Sequence, residues 1–403
     1  MDFPRNSFRT LTAVATLLLL SGCATVAPDG QRAAVEQLTQ DRLGGTTVSL
    51  AAPTPQSAER VRELLAQPLS AEAAVTIALL NNPALQSAFA QLAISDADRA
   101  QAGRLPNPHV SLGALREGDL RTINRAIGFD ILGLLTLPWR STWQSQQTEL
   151  AKLQAAQEVV RLAADTRKAW VHAVAAQQTA AYLRDVKEAT EAGAELARRM
   201  ARVGNWSRLR QAQEQLTLAD ATAQLARAEL AARSRREQLI RLMGLWGAQT
   251  HFTLVERLPD LPAAPRDTGD VEAQAIARRL DVQSAIDESQ YVASSLGYTR
   301  ARGLVGTLAI GYERNSVFNH ATGEKSVERG PTLELELPLF DGASARNARA
   351  EALYQQSVAK VRTVAGTARS EAREAYATYR TAYDLAVAYR DEVVPLRRFV
   401  ADE

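Results

Sequence analysis

Two hydrophobic periods alternate along the chain. Behind Ser70, the positions Ala74, Ile77, Ala78 and Leu80 fall on one side of a helix that ends near Asn81-Asn82-Pro83. Pro83 suits the first turn of a second helix, which the spacing of Leu85, Phe89, Leu92 and Ile94 carries to about Gly103. Leu105-Pro106-Asn107-Pro108 stops it. From His109 to about Leu137 the period becomes two, with Val110, Leu112 and Ala114, then Ile127, Phe129, Ile131, Gly133, Leu135 and Leu137. Glu117-Gly118-Asp119 is the turn between two strands. After Pro138 the helical period returns through Leu153, Ala156, Val160, Ala163, Trp170, Val174 and Ala181, interrupted at Arg167 and Gln177. No proline falls between Pro138 and Pro259, so the spacing predicts a helix of about 65 residues, roughly 95 Å long. Gly204-Asn205 offers a turn, and Leu209, Ala212, Leu216, Ala219, Ala223, Ala226 and Leu230 repeat the three-four pattern on the way back. The pair predicts an antiparallel coiled-coil hairpin with its tip at Gly204.

Pro259, Pro262 and Pro265 with Asp267, Gly269 and Asp270 form a linker, and after it the first half begins again. Leu85-Gln86-Ser87-Ala88 returns as Val282-Gln283-Ser284-Ala285, Ser111-Leu112-Gly113 as Ala309-Ile310-Gly311, and Leu137-Pro138 as Leu337-Pro338. In the second strand pair Leu333, Leu335, Leu337 and Leu339 alternate with Thr332, Glu334, Glu336 and Pro338. A second long helix starts near Asp341-Gly342. The repeat divides the chain into 1–22, a mostly extended segment 23–68 with room for one short helix, a first repeat 69–247 (strands about 107–137, hairpin about 139–247), a linker 248–270 and a second repeat 271–403 (strands about 304–339). Gly204 stands 66 positions after Pro138, so the second tip is expected just past Glu403. A returning helix of about 50 residues is then expected beyond it. Pro395 is the rival, as a natural stop for the second long helix.

Composition narrows the function. The chain has 403 residues, 46% hydrophobic but only 5% aromatic, and its alanine-rich apolar set suits close helix packing. Lys+Arg 47 against Asp+Glu 45 leaves a net charge of +2 without a basic block, which argues against a nucleic-acid partner. Arg5, Arg9 and the apolar run Leu11 to Leu20 read as a secretory leader over 1–22. Leu20-Ser21-Gly22-Cys23 follows, and Cys23 is the chain's only cysteine, so it has no partner for an internal disulfide. The run resembles a bacterial lipobox, with Cys23 as acylated mature N-terminus and Ala24 favouring sorting to the outer membrane; a plain leader with a chance cysteine is the alternative. No other stretch reaches the roughly 18 apolar residues of a spanning helix, so a membrane crossing would use strands. His109, His172, His251 and His320 show no ligand spacing, and no nucleophile elbow, phosphate loop or metal motif stands in context. No catalytic residue, metal site or cofactor is therefore expected.

A strand with leucine on one face and glutamate or threonine on the other fits a sheet between lipid and water. Four such strands cannot close alone, so several chains would contribute to one barrel. A soluble two-sheet domain with one polar face is the alternative. The repeated helix, strand, strand, long-helix units behind a lipobox, with Leu337-Pro338-Leu339-Phe340-Asp341-Gly342 opening the second long helix, resemble the TolC-like outer-membrane efflux proteins over nearly the whole mature chain. The resemblance implies a mainly α fold with a small β part. In it a homotrimer shares a twelve-stranded transmembrane barrel that continues into an α-helical coiled-coil tunnel through the periplasm.

It further implies a passive, lipid-anchored outer-membrane conduit, without cofactor, fed by an inner-membrane RND-type pump and its periplasmic adaptor, or by a type I secretion system. Small molecules, metal ions or polypeptide remain open as cargo. Arg202, Val203, Gly204 and Asn205 match the family's hairpin tip, where the adaptor docks, and Trp206 beside it is a candidate anchor. The family often carries an aspartate about six residues after the tip glycine; here that position is Arg210. Glu334 and Glu336 are candidate pore-lining carboxylates favouring cations, or simply the wetted face of the strand. Trp139 and Trp143 suit a membrane interface or helix-sheet packing. The competing function is a periplasmic coiled-coil lipoprotein spacer without channel activity.

Overall fold

The computed structural model describes residues 25–403 apart from 47, 53, 303–306 and 337–343, with the backbone alone for 296–302. The leader, Cys23 and the Leu337 to Gly342 run lie outside the described residues. The chain divides into two compact units, each drawn from both halves of the sequence. One comprises 1–31, 91–154 and 270–373, and the other 32–90, 155–269 and 374–403.

The second unit holds α1 (Arg32–Thr39), α2 (Pro55–Leu65), α3 (Ala71–Asn81), the start of α4 (Pro83–Ala102), α6 (Leu137–Arg202) from Ala155 onward, and α7 (Arg208–Met243). Ser70 caps α3 as its position suggested, its hydroxyl accepting from the Ala73 N–H at 3.1 Å. The helix buries Ala74, Val75, Ile77, Ala78 and Leu79, so most of its circumference is core rather than one side. The Asn81-Asn82-Pro83 break has a task that periodicity does not reveal. The Asn82 side-chain oxygen accepts from the Ala84 and Leu85 N–H groups at 2.8 and 3.1 Å, capping α4. Its amide donates to the Leu242 carbonyl at 2.8 Å, and the Asn81 amide donates to Met243 and Gly244 at 3.2 and 2.7 Å. The orphan carbonyls at the end of α7 are thus satisfied by the cap of another helix. Gly244 closes α7 at φ +66, and a Cβ there would meet the Asn81 carbonyl oxygen at 2.7 Å.

Arg167 and Gln177, which interrupt the apolar stripe of α6, are clasps to loops. The Arg167 guanidinium donates to the Leu43 carbonyl and, at 2.8 Å, to the Thr46 hydroxyl. Gln177 reaches the Val255 carbonyl at 3.5 Å. Trp170 is buried and still donates its indole N–H to the Leu69 carbonyl at 2.8 Å.

The hairpin seam differs from the one read in the sequence. Leu209, Leu216 and Leu230 are about two-thirds exposed (70%, 66%, 67%), and Ala212, Ala219, Ala223 and Ala226 are exposed with them. Along the same stretch of α7 the apolar residues that lose solvent inside the chain are Leu218, Ala221, Leu225, Ala228 and Ala232, each two positions further along. Two residues turn a helix by about 200°, so α7 carries two apolar seams on nearly opposite sides, of which the chain covers one. Pro395 does not stop the second long helix either. α10 (Ser344–Ala388) widens into a π-turn (Tyr389–Val393), and α11 (Val394–Asp402) continues with Pro395 in its first turn. A wider turn is a natural response to a residue without an N–H.

The first unit holds the end of α4, β1 (His109–Glu117), β2 (Leu120–Asp130), α5 (Ile131–Leu135), the start of α6, α8 (Val271–Arg278), α9 (Leu280–Arg302), β3 (Leu308–Asn319), β4 (Lys325–Leu335) and α10 as far as Arg373. The strands form one four-stranded sheet of order β1-β2-β3-β4, antiparallel throughout, so β2 of the first repeat pairs β3 of the second. The period-two run expected to reach Leu137 ends at Asp130. There the carboxylate caps α5, accepting from the Gly133 N–H at 2.8 Å, and Ile131 and Leu135 become helical. In α9, Tyr291 stacks on Trp143 of α6 with ring centroids 5.7 Å apart, while Trp139 remains 57% exposed. Trp143, itself 45% exposed, thus packs against another helix rather than against the sheet.

Asp96 of α4 holds the segment that follows Cys23. Its carboxylate is fully buried. It accepts from the Ala27 N–H at 2.7 Å, the Gln31 amide at 2.9 Å and the Arg99 guanidinium at 2.9 Å, and Arg99 also donates to the Thr25 carbonyl. Burial alone would push this carboxyl up, but the Ala27, Arg99 and Gln31 hydrogen bonds outweigh it and hold the group below 3.8. A depressed folded pKa stabilises fully above that value, and the stability is lost as pH falls through the folded pKa. Asp96→Asn is therefore expected to cost about 1–3 kcal/mol near neutral pH and to open the 25–31 segment to protease. The wild type should lose the same protection only below about pH 4. Asn82→Ala, which removes a cap and leaves the Leu242 carbonyl unpaired, is expected to cost about 2 kcal/mol in thermal unfolding of the detergent-extracted protein. Gly244→Ala should cost at least as much through its clash with Asn81.

Candidate channel wall and docking tip

Side chains alternate between the faces of a strand, and residues directly opposite in an antiparallel pair share a face. The register therefore sorts the whole sheet. One face carries Val110 and Leu112 of β1, Ile127 and Phe129 of β2, Ile310 and Tyr312 of β3, and Leu333 and Leu335 of β4. All of these are exposed, Leu112 and Leu333 the most at 76% and 68%. Scattered surface leucines need no explanation, but a continuous apolar face does.

Charge follows the same division. Every lysine and arginine of the strands, namely Arg116, Arg121, Arg125, Arg314, Lys325 and Arg329, lies on the apolar face. Every strand carboxylate, Glu117, Asp130, Glu313, Glu328 and Glu334, lies on the other. That second face is otherwise small or polar, with Ser111, Asn124, Thr332 and the aligned Gly128 and Gly311; Leu115, Leu120 and Val317 are its apolar exceptions near the turns. Gly128 leaves room for the His109 ring, which would lie 2.2 Å from a Cβ. Glu334 stands opposite Ala309 on this face. Glu336 lies one step past β4 and continues its register, its N–H donating to the Thr307 carbonyl at 3.1 Å and its carboxylate accepting from the Thr307 hydroxyl at 2.8 Å.

The cations are also sorted along the strands. The Gly118-Asp119 turn and the 320–324 turn stand at the same end of the sheet, joined by the His320 N–H donating to the Asp119 carbonyl at 2.8 Å. Apolar pairs such as Ile310 with Leu333 occupy the end where the helices enter. The basic residues occupy the half nearer the turns. Among the described residues β1 and β4 each have only one neighbour, so both outer edges of the sheet are unpaired there.

In the second unit the tip is built from a left-handed glycine. Gly204 has φ +82, the Asn205 N–H donates to the Met200 carbonyl at 2.9 Å and the Gly204 N–H to Ala201 at 3.2 Å, the double bond pattern of a Schellman stop. Ser207 then caps α7, accepting from the Arg210 N–H at 3.2 Å. Arg202, Val203, Gly204 and Asn205 are exposed, Val203 at 68%. Trp206 is only half exposed, because the Arg210 guanidinium lies over its ring, 4.0 Å from the centroid. The residue that departs from the family pattern is thus the cover of the candidate anchor, a pairing that the four-residue spacing allows but sequence reading missed. Glu195 is the tip's carboxylate: the hydrogen bond from Arg199, with Arg198 and Arg202 nearby, holds it below the usual range. Arg202 and Arg208 add further positive charge.

Among the described residues no helix is long and apolar enough to cross a membrane. No protein-family model matches the chain, and no curated protein matches it by sequence. Solved structures match it over most of its length. The outer-membrane channel OprN aligns with a TM-score of 0.64 at 16% identity, over 89% of this chain and 83% of that one. The CmeC outer membrane channel of Campylobacter jejuni aligns with a TM-score of 0.65 at 13% identity, over 85% and 76%. The open state of the MtrE outer membrane channel of Neisseria gonorrhoeae aligns with a TM-score of 0.53 at 15% identity, over 82% and 75%. The chain therefore has the fold of outer-membrane channel proteins, the fold that its resemblance to the TolC-like efflux proteins implied.

Proposed function

We propose that the chain is one subunit of an outer-membrane channel-tunnel, a passive conduit from an inner-membrane pump and its adaptor to the outside. One observation carries the reading: a sheet with an exposed apolar face free of strand carboxylates, all of which lie on the other face, and with two open edges. Such a sheet is stable in hydrocarbon only if its edges pair with other strands, because each unpaired backbone group there costs several kcal/mol. Three copies, each giving four strands, would close a twelve-stranded barrel with the apolar face toward lipid and the Glu313, Glu328 and Glu334 face toward water.

The second seam of α7, Leu209, Leu216, Ala223 and Leu230, supports the same assembly. A helix with apolar seams on opposite sides is a stave between two neighbours, and the neighbour outside the chain would be another copy. The tip from Arg202 to Trp206 would meet the adaptor, and its arginines suit an acidic partner surface. Lipid attachment at Cys23 would place the anchor directly before the 25–31 segment that Asp96 holds. In this role the protein positions and encloses, and performs no bond chemistry. A periplasmic spacer would have no use for an oily sheet face.

The full chain reconstituted in a planar bilayer should give uniform conductance steps that prefer cations. Replacing Glu313, Glu328 and Glu334 together with Gln should lower the cation-to-anion permeability ratio by about threefold or more without abolishing the steps. Unchanged selectivity would remove these carboxylates from the pore wall, and the absence of steps from a folded oligomer would favour the spacer.

A further inference from the structure

The basic half of the apolar face raises a question that the channel reading leaves open. In the sheet register, Arg125 of β2 stands directly opposite Arg314 of β3, which stands directly opposite Arg329 of β4. Like charges in directly opposed positions destabilise a sheet, and neighbouring strands are only about 4.8 Å apart. Among the described residues of the strands no carboxylate shares this face. Among the described residues none of the three forms an ion pair, and Arg125 has one long contact, to the Ser316 hydroxyl at 3.4 Å. Four residues nearer the turns a second row follows, with Arg116 opposite Arg121 and Lys325 opposite Phe318, whose ring the ammonium overlies at 5.1 Å. All these cations are exposed.

We infer that this half of the face is a binding site for the phosphorylated headgroup of a membrane lipid, with Arg125, Arg314 and Arg329 as its central row. The inference rests on the reading of the sheet as a barrel wall. From Leu308 to Arg314, β3 rises about 20 Å, and an arginine side chain reaches several Å further toward the turns. The guanidinium row then stands at the top of the apolar band, where acyl chains give way to headgroups. An anion there removes the mutual repulsion of the row. Planar guanidinium groups side by side match phosphate oxygens in pairs, which a zwitterionic headgroup with its own cation satisfies poorly. Two cationic rows, four residues or about 13 Å apart along the strands, favour a headgroup that carries more than one phosphate. The carboxylates on the opposite face keep their distance from this anion because the pleat sends them through the sheet.

The test is native mass spectrometry of the full-length oligomer in detergent, with bis-phosphorylated lipid A, monophosphoryl lipid A, phosphatidylethanolamine or inorganic phosphate added. The wild type should retain the bis-phosphorylated lipid best. Arg125→Gln with Arg314→Gln and Arg329→Gln should lower retention about tenfold, while lysine at the same positions keeps part of it. Should the triple variant fail to assemble, Arg314→Gln alone should lower retention in the same direction. Equal retention by wild type and glutamine variant, or equal binding of phosphatidylethanolamine, overturns the inference. Displacement of the lipid by equimolar inorganic phosphate overturns it as well, since the site would then serve a free anion. Leu112→Trp, read by quenching with brominated acyl chains, separates the two levels. Quenching without arginine-dependent retention overturns the lipid site and leaves the barrel wall standing, whereas no quenching overturns both.

Discussion

An antiparallel strand carries hydrogen-bonding groups on both edges, and a sheet that ends inside one chain leaves two rows of them unmet. In water that is a liability, and in hydrocarbon it is untenable. Here β1 and β4 are those edges, and the face between them is oily from Val110 to Leu335. Burying the face without closing the edges, or closing the edges without lipid, would each solve half of the problem. A barrel shared between copies would solve both, and α7, with one seam covered inside the chain and one left exposed, makes the same demand in helical form.

Register is what keeps the arrangement unique. A slip of one residue would send Leu333 to the acidic face and Glu334 to the oily one, exchanging every side chain along the strand. The complete segregation of strand cations from strand carboxylates raises the penalty for such a slip well beyond that of the apolar residues alone. It also gives each face a separate chemistry: carboxylates on one, apolar side chains and guanidinium groups on the other.

Much of the fold was legible because two different periods alternate in the sequence. Pro83 opening α4, the 66-residue α6 and the Gly204 tip all follow from spacing and from the conformational range of single residues. The end of β2 was misread because Ile131, Gly133 and Leu135 fit a strand as well as one turn of helix; Asp130, an N-cap residue at that point, was the available signal. The α7 seam was misread because two stripes, Leu209 with Leu216 and Leu218 with Leu225, keep the same seven-residue spacing, and periodicity alone does not say which of them the chain covers; Leu209 and Leu216 stay exposed. At the sites, the facing of Glu334 and the exposure of the tip were readable from alternation and turn chemistry. The capping of α7 by Asn81 and Asn82, the Asp96 clasp and the cross-strand arginine row were not, since each joins residues whose proximity depends on tertiary pairing.

A closed barrel requires β1 of one copy to pair with β4 of the next. Single cysteines placed in turn along β1 and along β4, in a chain whose Cys23 is replaced or lipid-blocked, measure this directly through disulfide formation in isolated outer membranes. Closure predicts bonds between copies at one antiparallel register, with covalent species ending at the trimer on a non-reducing gel. A folded protein that forms no inter-chain bond at any register, or an open-ended ladder, would contradict it.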